Sequence, residues 1–276
     1  THPVEEVIVL DDASPDNSVE VIQRVAEERQ RDVTLVINDV NSGSVFAQWR
    51  KAVDTAQGEF IWIAEADDLS EPSFLAAMLQ IIRTEPAIEM AFCDSRSIDG
   101  GGSPIYPSYK AYFATIEPGA LSRTEIFEGQ EFLRRFLSVK NTILNVSSVV
   151  WRRKSLLRCL EACRSELSQF RMAADWRLYL ECLSAPGAKI AYVADPLNVH
   201  RRHAQSVTHS LNADKHVDEI DRMHRVARQR LGNAESLAKR QHAYLEEVRS
   251  QLSGADAPVA SSSRRKTRAR RAKEDA

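Results

Sequence analysis

FIWIAEADD, residues 60–68, joins an apolar run of strand length to three closely spaced carboxylates. The run is short and rich in aromatic and β-branched side chains, which is typical of a buried strand. Glu65, Asp67 and Asp68 follow at its carboxyl end, where open α/β sheets bind ligands. Because clustered carboxylates repel one another unless protons or a cation compensate, the stretch predicts a strand that ends at a metal site. The alternative is that Asp67 and Asp68 cap the helix that starts near Pro72.

Strands and helices alternate on both sides of this stretch. Each strand is followed by a loop and a helix, which predicts an α/β fold with a mostly parallel sheet and flanking helices. Residues 94–125 lose this periodicity and are rich in glycine and proline, so we predict a long loop there. The pattern predicts strands at residues 4–10, 33–37, 60–64, 88–93, 146–151, 189–193 and 197–200, and helices at residues 18–30, 44–56, 75–84, 129–137, 154–164 and 173–184, with two further helices towards the end of the chain.

Composition excludes several classes of protein. The chain has 276 residues, 43% of them hydrophobic, which is enough for a substantial core. Residues 264–276 hold seven basic and two acidic side chains, so the rest of the chain has a net charge of −7 and does not favour nucleic acid as a partner. No apolar run is long enough to predict a membrane span. The four cysteines lack C-x-x-C spacing, which predicts reduced, packed thiols.

A second acidic pair, Asp11 and Asp12, ends the first predicted strand. If this strand lies beside the strand of residues 60–64, both acidic ends face one cleft. A carboxylate there can accept hydrogen bonds from a nucleotide base or ribose. Turn chemistry at the surface is the alternative.

A series of short motifs, in order along the chain, resembles family 2 glycosyltransferases with the GT-A fold. The resemblance covers residues 4–208. It implies that a first strand and helix, whose loop helps to hold the nucleotide, are missing before Val4. The motifs are DDASPD at 11–16, NSG at 41–43, GEFI at 58–61, EADD at 65–68, ADWRLYL at 174–180 and HRRHAQSVT at 200–208.

The resemblance assigns roles to the residues at the strand ends. Asp11 and Asp12 would contact the donor nucleoside, with Asn41 nearby in the donor-site loop. Glu65 and Asp67 occupy the D-x-D positions. Asp67 would ligate Mg²⁺ or Mn²⁺ directly, whereas Glu65, which replaces the usual aspartate, would be a second ligand or contact the ribose.

The later motifs imply a catalytic base and a phosphate-binding element. Asp175 aligns with the base of inverting members, which deprotonates the acceptor hydroxyl; Ala174 stands where an acidic residue is common. The alternative for Asp175 is a helix N-cap. Arg202 and His203 would lie near the donor diphosphate, or belong to a solvated basic turn.

Taken together, the resemblance implies a metal-dependent glycosyltransferase of the hexosyl-transferring type. It would transfer sugar with inversion from a nucleotide-diphosphate sugar to a saccharide or lipid-linked hydroxyl acceptor, in surface-polysaccharide or glycoconjugate biosynthesis. No Q-x-x-R-W motif follows Asp175, which favours the addition of one or a few residues over polymerisation. In the long loop, Tyr106, Tyr109, Tyr112 and Phe113 would stack on acceptor sugars or simply pack.

The expected organisation is a GT-A domain over residues 1–208, a helical extension over 209–252 and a disordered basic tail over 253–276. The expected location is cytoplasmic, with peripheral contact to the inner face of the membrane through the tail. Two alternatives remain open. One is a sugar nucleotidyltransferase, and the other is a non-catalytic GT-A-like module whose tail binds anions.

Overall fold

Within the described residues, 2–203 and 213–255, the computed structural model has nine strands in two sheets. The first sheet contains two parallel strands, and the second contains seven strands with the central order β3-β8-β5-β9-β4, to which β6 adds on β5 and β7 on β9. The strands are β1 (Ile8–Asp11), β2 (Thr34–Ile37), β3 (Phe60–Trp62), β4 (Leu69–Ser70), β5 (Ile88–Asp99), β6 (Pro104–Tyr106), β7 (Glu125–Glu128), β8 (Val149–Arg152) and β9 (Lys189–Arg202).

Helices cover the sheets and follow the predicted order. α5 continues as a π-helical turn over Leu133–Leu137, and a 3₁₀ turn over Val146–Ser148 precedes β8. The α-helices are α1 (Ser18–Glu28), α2 (Val45–Thr55), α3 (Phe74–Ile82), α4 (Lys110–Ala114), α5 (Gly129–Phe132), α6 (Arg153–Ala162), α7 (Arg164–Leu167), α8 (Ala174–Leu183), α9 (Ala213–Leu231) and α10 (Glu235–Ala255).

Strand direction in the large sheet differs from the prediction. The α/β architecture with flanking helices is confirmed, but only β5 and β9 pair in parallel within this sheet; β8, for example, lies antiparallel between β3 and β5. The prediction of a mostly parallel sheet was therefore wrong for this part. A short, mostly apolar strand such as VVWR has the same composition in either direction, so the sequence of β8 could not indicate its orientation.

Apolar side chains pack on both faces of the large sheet. On one face, Phe74 and Met78 of α3 are fully buried against the sheet. On the other face, α5 to α8 bury Trp151 of β8 and Tyr179 of α8, whose rings stack with centroids 5.6 Å apart. Burying one large apolar side chain is worth about 1.5–3 kcal/mol, so this two-sided core holds β3, β8 and β9 in fixed positions.

The predicted long loop over residues 94–125 is largely ordered. β5 runs on to Asp99, and β6 and α4 follow. The buried carboxylate of Asp94 accepts hydrogen bonds from the Ser108 hydroxyl and the Tyr109 N–H, which turns the chain back over the sheet. Polar residues that are satisfied internally disrupt the apolar periodicity without disrupting the structure, and for that reason the segment was predicted as a loop.

The aromatic residues of this segment mostly serve packing. Tyr109 and Phe113 are buried, and the Tyr112 hydroxyl donates to the Asn141 carbonyl at 3.0 Å. Tyr106 is 51% exposed. Of the two roles open from the sequence, packing therefore applies to Tyr109 and Phe113.

The last two helices complete the large core. α9 packs on α8, on the π-helical turn and on α10. His224 of α9 is fully buried. Among the described residues, no helix combines the length and the apolar composition that a membrane span requires. The cysteines are unpaired and buried, as predicted. Residues 204–212 and 256–276 lie outside the described residues, and so do the end of the HRRHAQSVT motif and most of the predicted basic tail.

Candidate functional site

Asp68, the last carboxylate of the stretch at residues 60–68, is a structural anchor. Its Oδ2 accepts from Asn145 Nδ2 at 2.8 Å and from Ser147 Oγ at 2.7 Å, while its Oδ1 accepts from the Arg201 N–H at 2.9 Å. These bonds join the exit of β3 to the 3₁₀ turn and to the end of β9. The N-cap of α3 is Ser73, so neither Asp67 nor Asp68 caps that helix, and the capping alternative is wrong.

The side chains of Asp67 and His203 are in contact. The Asp67 Oδ2 lies 2.9 Å from His203 Nε2, and the two side chains are 49% and 45% exposed. Arg201 Nε donates to the Asp67 carbonyl at 2.8 Å and holds this part of the backbone. A solvent-accessible carboxylate next to an imidazole is a donor pair that suits a divalent cation.

Glu65 lies in a less polar environment than Asp67. Burial raises the pKa of its carboxyl, the charges of Asp68 and Asp67 raise it further, and hydrogen bonding to Trp49 opposes the shift. No group of three or more metal-ligating side chains occurs among the described residues, so Asp67 and His203 form a two-residue set. The Asp67 carboxylate is the member of this set that suits Mg²⁺ or Mn²⁺, since proteins often hold Mg²⁺ through one or two carboxylates plus substrate phosphates. The ligand role of Glu65 stays a prediction.

Asp12 organises the loop that follows β2. Its Oδ1 accepts from the Ser42 N–H at 2.9 Å and from Gln48 Nε2 at 2.8 Å, and also from the Asn38 amide. Its Oδ2 accepts from Ser42 Oγ at 2.8 Å. These bonds, the Ser42 N–H foremost, lower the pKa of Asp12. The carboxylate therefore ties the end of β1 to the loop at 38–44 and to α2.

Asp11 and Asn41 also shape loops. The buried Asp11 accepts from the Ser14 N–H at 3.0 Å. Asn41 Oδ1 accepts from the Gly43 N–H at 2.8 Å, in a turn where Gly43 has a φ of 62°. Glycine tolerates that left-handed conformation without strain.

The two acidic strand ends are joined through α2. β1 and β3 belong to different sheets, so they are not adjacent strands. Instead, consecutive residues of α2 reach both ends: Gln48 donates to Asp12, and Trp49 interacts with Glu65. Helix α2 therefore links the end of β1 to the end of β3, although no sequence pattern associated this helix with either strand end.

Asp175 lies in the first turn of α8 and is partly accessible. Its Oδ2 accepts from Asn141 Nδ2 at 3.1 Å and its Oδ1 from the Trp176 N–H at 2.6 Å. Burial raises the pKa of Asp175 to about 7 against these two hydrogen bonds, and the charge of Glu219 raises it further. The N-cap of α8 is Ala173, so the capping alternative for Asp175 is wrong.

Tyr179 is affected by the charges of both Asp175 and Glu65. It is fully buried on α8, one turn after Asp175, and its hydroxyl has no hydrogen-bond partner among the described residues. Burial raises its pKa, and the negative charges of Asp175 and then Glu65 raise it further. The role of Asp175 as a base beside the donor and metal residues stays a prediction.

The two arginines that end β9 have different environments. Arg201 is engaged with the Asp67 carbonyl, the Asp68 carboxylate and the Asp99 carbonyl. Arg202 is exposed, and its charge adds to burial in lowering the pKa of the His200 imidazole. Arg202 is therefore a solvent-facing cation at the end of β9, next to His203 in the chain.

Several polar residues of the site were not predicted from the sequence. Asn141 and Asn145 lie in NTILNVSS, residues 141–148, directly before β8. Polar side chains at the entrance of a buried strand are a signal that could have indicated them. Gln48 and Glu219 carry no such signal, because polar residues are common on helices. The unpredicted residues are Asn38, Gln48, Asn141, Asn145, Ser147 and Glu219.

Sequence comparison identifies related proteins. Residues 1–161 match the profile described as glycosyl transferase family 2. The uncharacterised proteins Mb1547 of Mycobacterium bovis and Rv1520 of Mycobacterium tuberculosis are each 26% identical over 217 residues, which is 76% of this chain and 54% of theirs. The chain thus spans about half the length of these relatives.

Solved structures with the same fold include two from different organisms. TarS 1–349 of S. aureus in complex with UDP-GlcNAc has a TM-score of 0.57 and 15% identity, covering 90% of this chain and 62% of that one. The mannosyltransferase PcManGT of Pyrobaculum calidifontis, in complex with GDP-Man and Mn²⁺, has a TM-score of 0.51 and 19% identity, covering 93% of this chain and 67% of that one. At these identities the likeness shows the fold, which confirms the GT-A-like architecture expected from the sequence.

Proposed function

The chain belongs to glycosyltransferase family 2, and from this premise we propose that it transfers a sugar from a nucleotide-diphosphate sugar to a hydroxyl acceptor, with inversion at the anomeric carbon. The observation that carries the proposal is the Asp175 carboxyl. It is partly accessible, it accepts a hydrogen bond from Asn141, and burial raises its pKa to about 7. A general base works best when its pKa lies near the working pH.

The proposed reaction has one displacement step. The Asp175 carboxylate accepts the proton of the acceptor hydroxyl while that oxygen forms a bond to the anomeric carbon. The bond from this carbon to the diphosphate oxygen breaks, and the nucleoside diphosphate leaves with the electron pair. Asn141 donates to one oxygen of Asp175 and so fixes the orientation of the carboxylate.

Asp67 and His203 would hold a divalent cation, Mg²⁺ or Mn²⁺, on the basis of their contact and exposure. When bound, the cation supplies charge stabilisation to the leaving diphosphate. Arg202 lies exposed in the same turn and would add positive charge. The Mn²⁺ in the structure of the archaeal mannosyltransferase supports this part of the proposal.

The donor nucleoside would bind at the β1 and β2 ends. Asp11, Asp12 and Asn41 would act there mainly by shaping the loop at residues 38–44, since their oxygens accept hydrogen bonds from that loop and its neighbours. Glu65 would contact the ribose or the cation. UDP-GlcNAc and GDP-Man in the structures of similar fold support a nucleotide-diphosphate sugar as the donor class.

Acceptor, pathway and location are further parts of the proposal. The acceptor would be a saccharide or a lipid-linked hydroxyl compound in surface-polysaccharide or glycoconjugate assembly. The GT-A domain would span residues 1–208 and the helical extension residues 209–252. Cytoplasmic location with contact to the inner face of the membrane, through the basic residues from Arg264 onward, rests on the sequence alone. Binding to anionic vesicles that is lost on truncation after Ser263 would support it, and unchanged binding would contradict it.

The function is tested by product analysis. The purified chain, and any longer natural polypeptide that contains it, is incubated with UDP-, GDP- and dTDP-sugars in the presence of Mn²⁺ or a chelator. We expect release of nucleoside diphosphate. In a parallel incubation with a nucleoside triphosphate and a sugar 1-phosphate, release of pyrophosphate would indicate a nucleotidyltransferase. Failure to bind any sugar nucleotide would indicate a non-catalytic module.

The base is tested with a matched pair of variants. Asp175→Asn should reduce turnover by at least about 100-fold, in the range that proton transfer to a positioned base contributes. Asp54→Asn is the control, because Asp54 lies on the surface of α2 and pairs with Arg50. Equal turnover in both variants would contradict the role of Asp175.

A further inference from the structure

Glu219 of α9 is a buried carboxylate that binds the backbone directly before α8. Its Oε1 accepts from the Arg171 N–H at 2.8 Å, and its Oε2 accepts from the N–H groups of Met172 and Ala173, each at 2.9 Å. The side chain is 6% exposed. Three consecutive amide donors thus converge on one carboxylate that is supplied from another part of the chain.

Consecutive backbone N–H groups at the start of a helix form a concave site that favours an anion. Here the anion is the Glu219 side chain. Ala173 is the N-cap of α8, and no side chain caps this helix locally. The position and direction of the first turn, which carries Asp175, therefore depend on a residue that lies 44 positions after it.

Helices α9 and α10 also bind the backbone at residues 138–139, shortly before Asn141. The buried His224 of α9 contacts the Val139 carbonyl through Nε2 at 2.6 Å, and the buried Gln241 of α10 donates to the Ser138 carbonyl at 2.7 Å. Asn141, which donates to Asp175, lies two residues after Val139. Both partners of the Asp175 carboxylate, its own helix start and Asn141, are thereby attached to α9 and α10.

We propose that Glu219 is a positioning residue for sugar transfer: by binding the N–H groups of residues 171–173 it holds the Asp175 carboxylate in the orientation that accepts the acceptor proton. This inference rests on the proposed function of Asp175 as the base. It makes α9 and α10 part of the catalytic apparatus rather than an appendage to the GT-A domain. Glu219 touches no reacting atom and acts through the backbone before Asp175.

Glu219 also acts on Asp175 through its charge. Two like charges in a desolvated region favour protonation of one of them, and the charge of Glu219 raises the pKa of Asp175. The charge of Asp175 raises the pKa of Tyr179 on the same helix, and the ring of His224 lies 6.2 Å from that of the next residue, Trp176. Lys140 lies in the segment next to Asn141.

The test compares Glu219→Gln with Asp221→Asn. Both remove one negative charge from α9, but Asp221 pairs with Arg225 and is 37% exposed. Glutamine offers one oxygen and one NH₂ group to three donors, so the backbone at 171–173 should loosen. For Glu219→Gln we expect kcat to fall by about 10-fold or more with the donor KM nearly unchanged, because a small misplacement of a catalytic group slows chemistry strongly. The acidic limb of the pH–kcat profile, where kcat rises with pH, should also move to lower pH.

Two measurements decide the inference independently of activity. In Glu219→Gln, hydrogen exchange of the amides at 171–173 should accelerate, and the Asp175 carboxyl, followed by ¹³C NMR, should titrate at lower pH than in the wild type. Asp221→Asn should change neither. Unchanged exchange and an unchanged Asp175 titration in Glu219→Gln would overturn the positioning role.

If Glu219→Gln does not fold, Glu219→Asp takes its place. Aspartate keeps the charge but is one methylene too short for all three amides, so exchange should accelerate while the Asp175 titration shifts less. Equal exchange at 171–173 in this variant and the wild type would also overturn the inference. If the wild type transfers no sugar at all, the proposed function fails, while the exchange and NMR data still show whether Glu219 fixes this backbone.

Discussion

The Oδ2 atom of Asp67 lies 2.9 Å from Nε2 of His203, although 136 positions separate the two residues in the chain. Asp67 follows β3 at one end of the central strand order, and His203 follows β9, which lies next to β4 at the other end. The contact forms because Arg201 binds both the Asp67 carbonyl and Asp68. The backbone of β9 therefore carries His203 to the acidic stretch.

The contact between Asp67 and His203 predicts that both side chains contribute to Mn²⁺ binding, which can be measured without sugar transfer. Asp67→Asn and His203→Ala should each weaken Mn²⁺ binding by at least about 10-fold in the presence of UDP or GDP, since each removes one of two protein ligands. Isothermal titration calorimetry measures the change. Turnover should fall in parallel and recover partly at high Mn²⁺ concentration.

Two surface variants serve as controls for the metal experiment. Asp54→Asn removes a carboxylate from the surface of α2, and His242→Ala removes an exposed imidazole from α10. Both should bind Mn²⁺ like the wild type. If Asp67→Asn also retained wild-type affinity, the proposed cation site would be wrong.

The sequence predicts the elements of this fold better than their pairing. Apolar periodicity located α1, α2 and α3 to within about two residues, since a helix packed on a sheet needs an apolar stripe. The antiparallel direction of β8 and the extension of β5 past Cys93 depend on pairing with other strands, β5 for β8 and β9 for β5. No local pattern encodes such partners.

In the candidate site too, local sequence predicted some residues, whereas others are recognisable only from tertiary contacts. Carboxylates at strand ends indicated Asp12 and Asp67, because residue type and position on a strand suffice for that inference. The residues that hold them, Gln48 and Arg201, come from distant parts of the chain. Glu219 is the clearest case, since a buried glutamate on an amphipathic helix looks like a surface residue until the backbone amides of another helix are placed against it.

The raised pKa of Asp175 predicts the pH dependence of turnover. The carboxyl must be ionised to accept a proton, and its pKa is raised to about 7 by burial. We therefore expect kcat to increase with pH through the region around 7 and then to level off. A profile already flat at pH 5 would contradict an essential base with a raised pKa.

Asp12 should matter for stability as well as for donor binding. Asp12→Ala leaves the Ser42 N–H and the Gln48 amide without their acceptor. Both donors lose this hydrogen bond in the variant, so the free energy of unfolding should fall. Urea denaturation measures it. Asp39→Asn is the control, because Asp39 is an exposed carboxylate in the same loop.

Asp12→Ala should also weaken sugar-nucleotide binding, because the loop at 38–44 loses its attachment to β1. Asp12→Asn separates the two effects, since asparagine keeps one acceptor oxygen and should lose less stability. Full stability in Asp12→Ala would show that the loop does not depend on this carboxylate.

Asp175 should destabilise the folded protein at the pH where it is active. In the unfolded chain its pKa returns to the ordinary value of 3.8, whereas in the folded protein it is about 7. Between these values the folded state holds more protons, so the contribution of this group to stability falls as pH rises and stays low above 7. Asp175→Asn removes the titration and should therefore raise the free energy of unfolding at pH 8 by about 1–3 kcal/mol, with little change at pH 4. Thermal denaturation of both proteins at the two pH values measures the difference.

A variant that gained stability equally at pH 4 and pH 8 would point to repacking around Trp176 instead. A gain confined to high pH, together with lost turnover, would show that this fold retains a destabilising ionised carboxylate because its reaction requires a base.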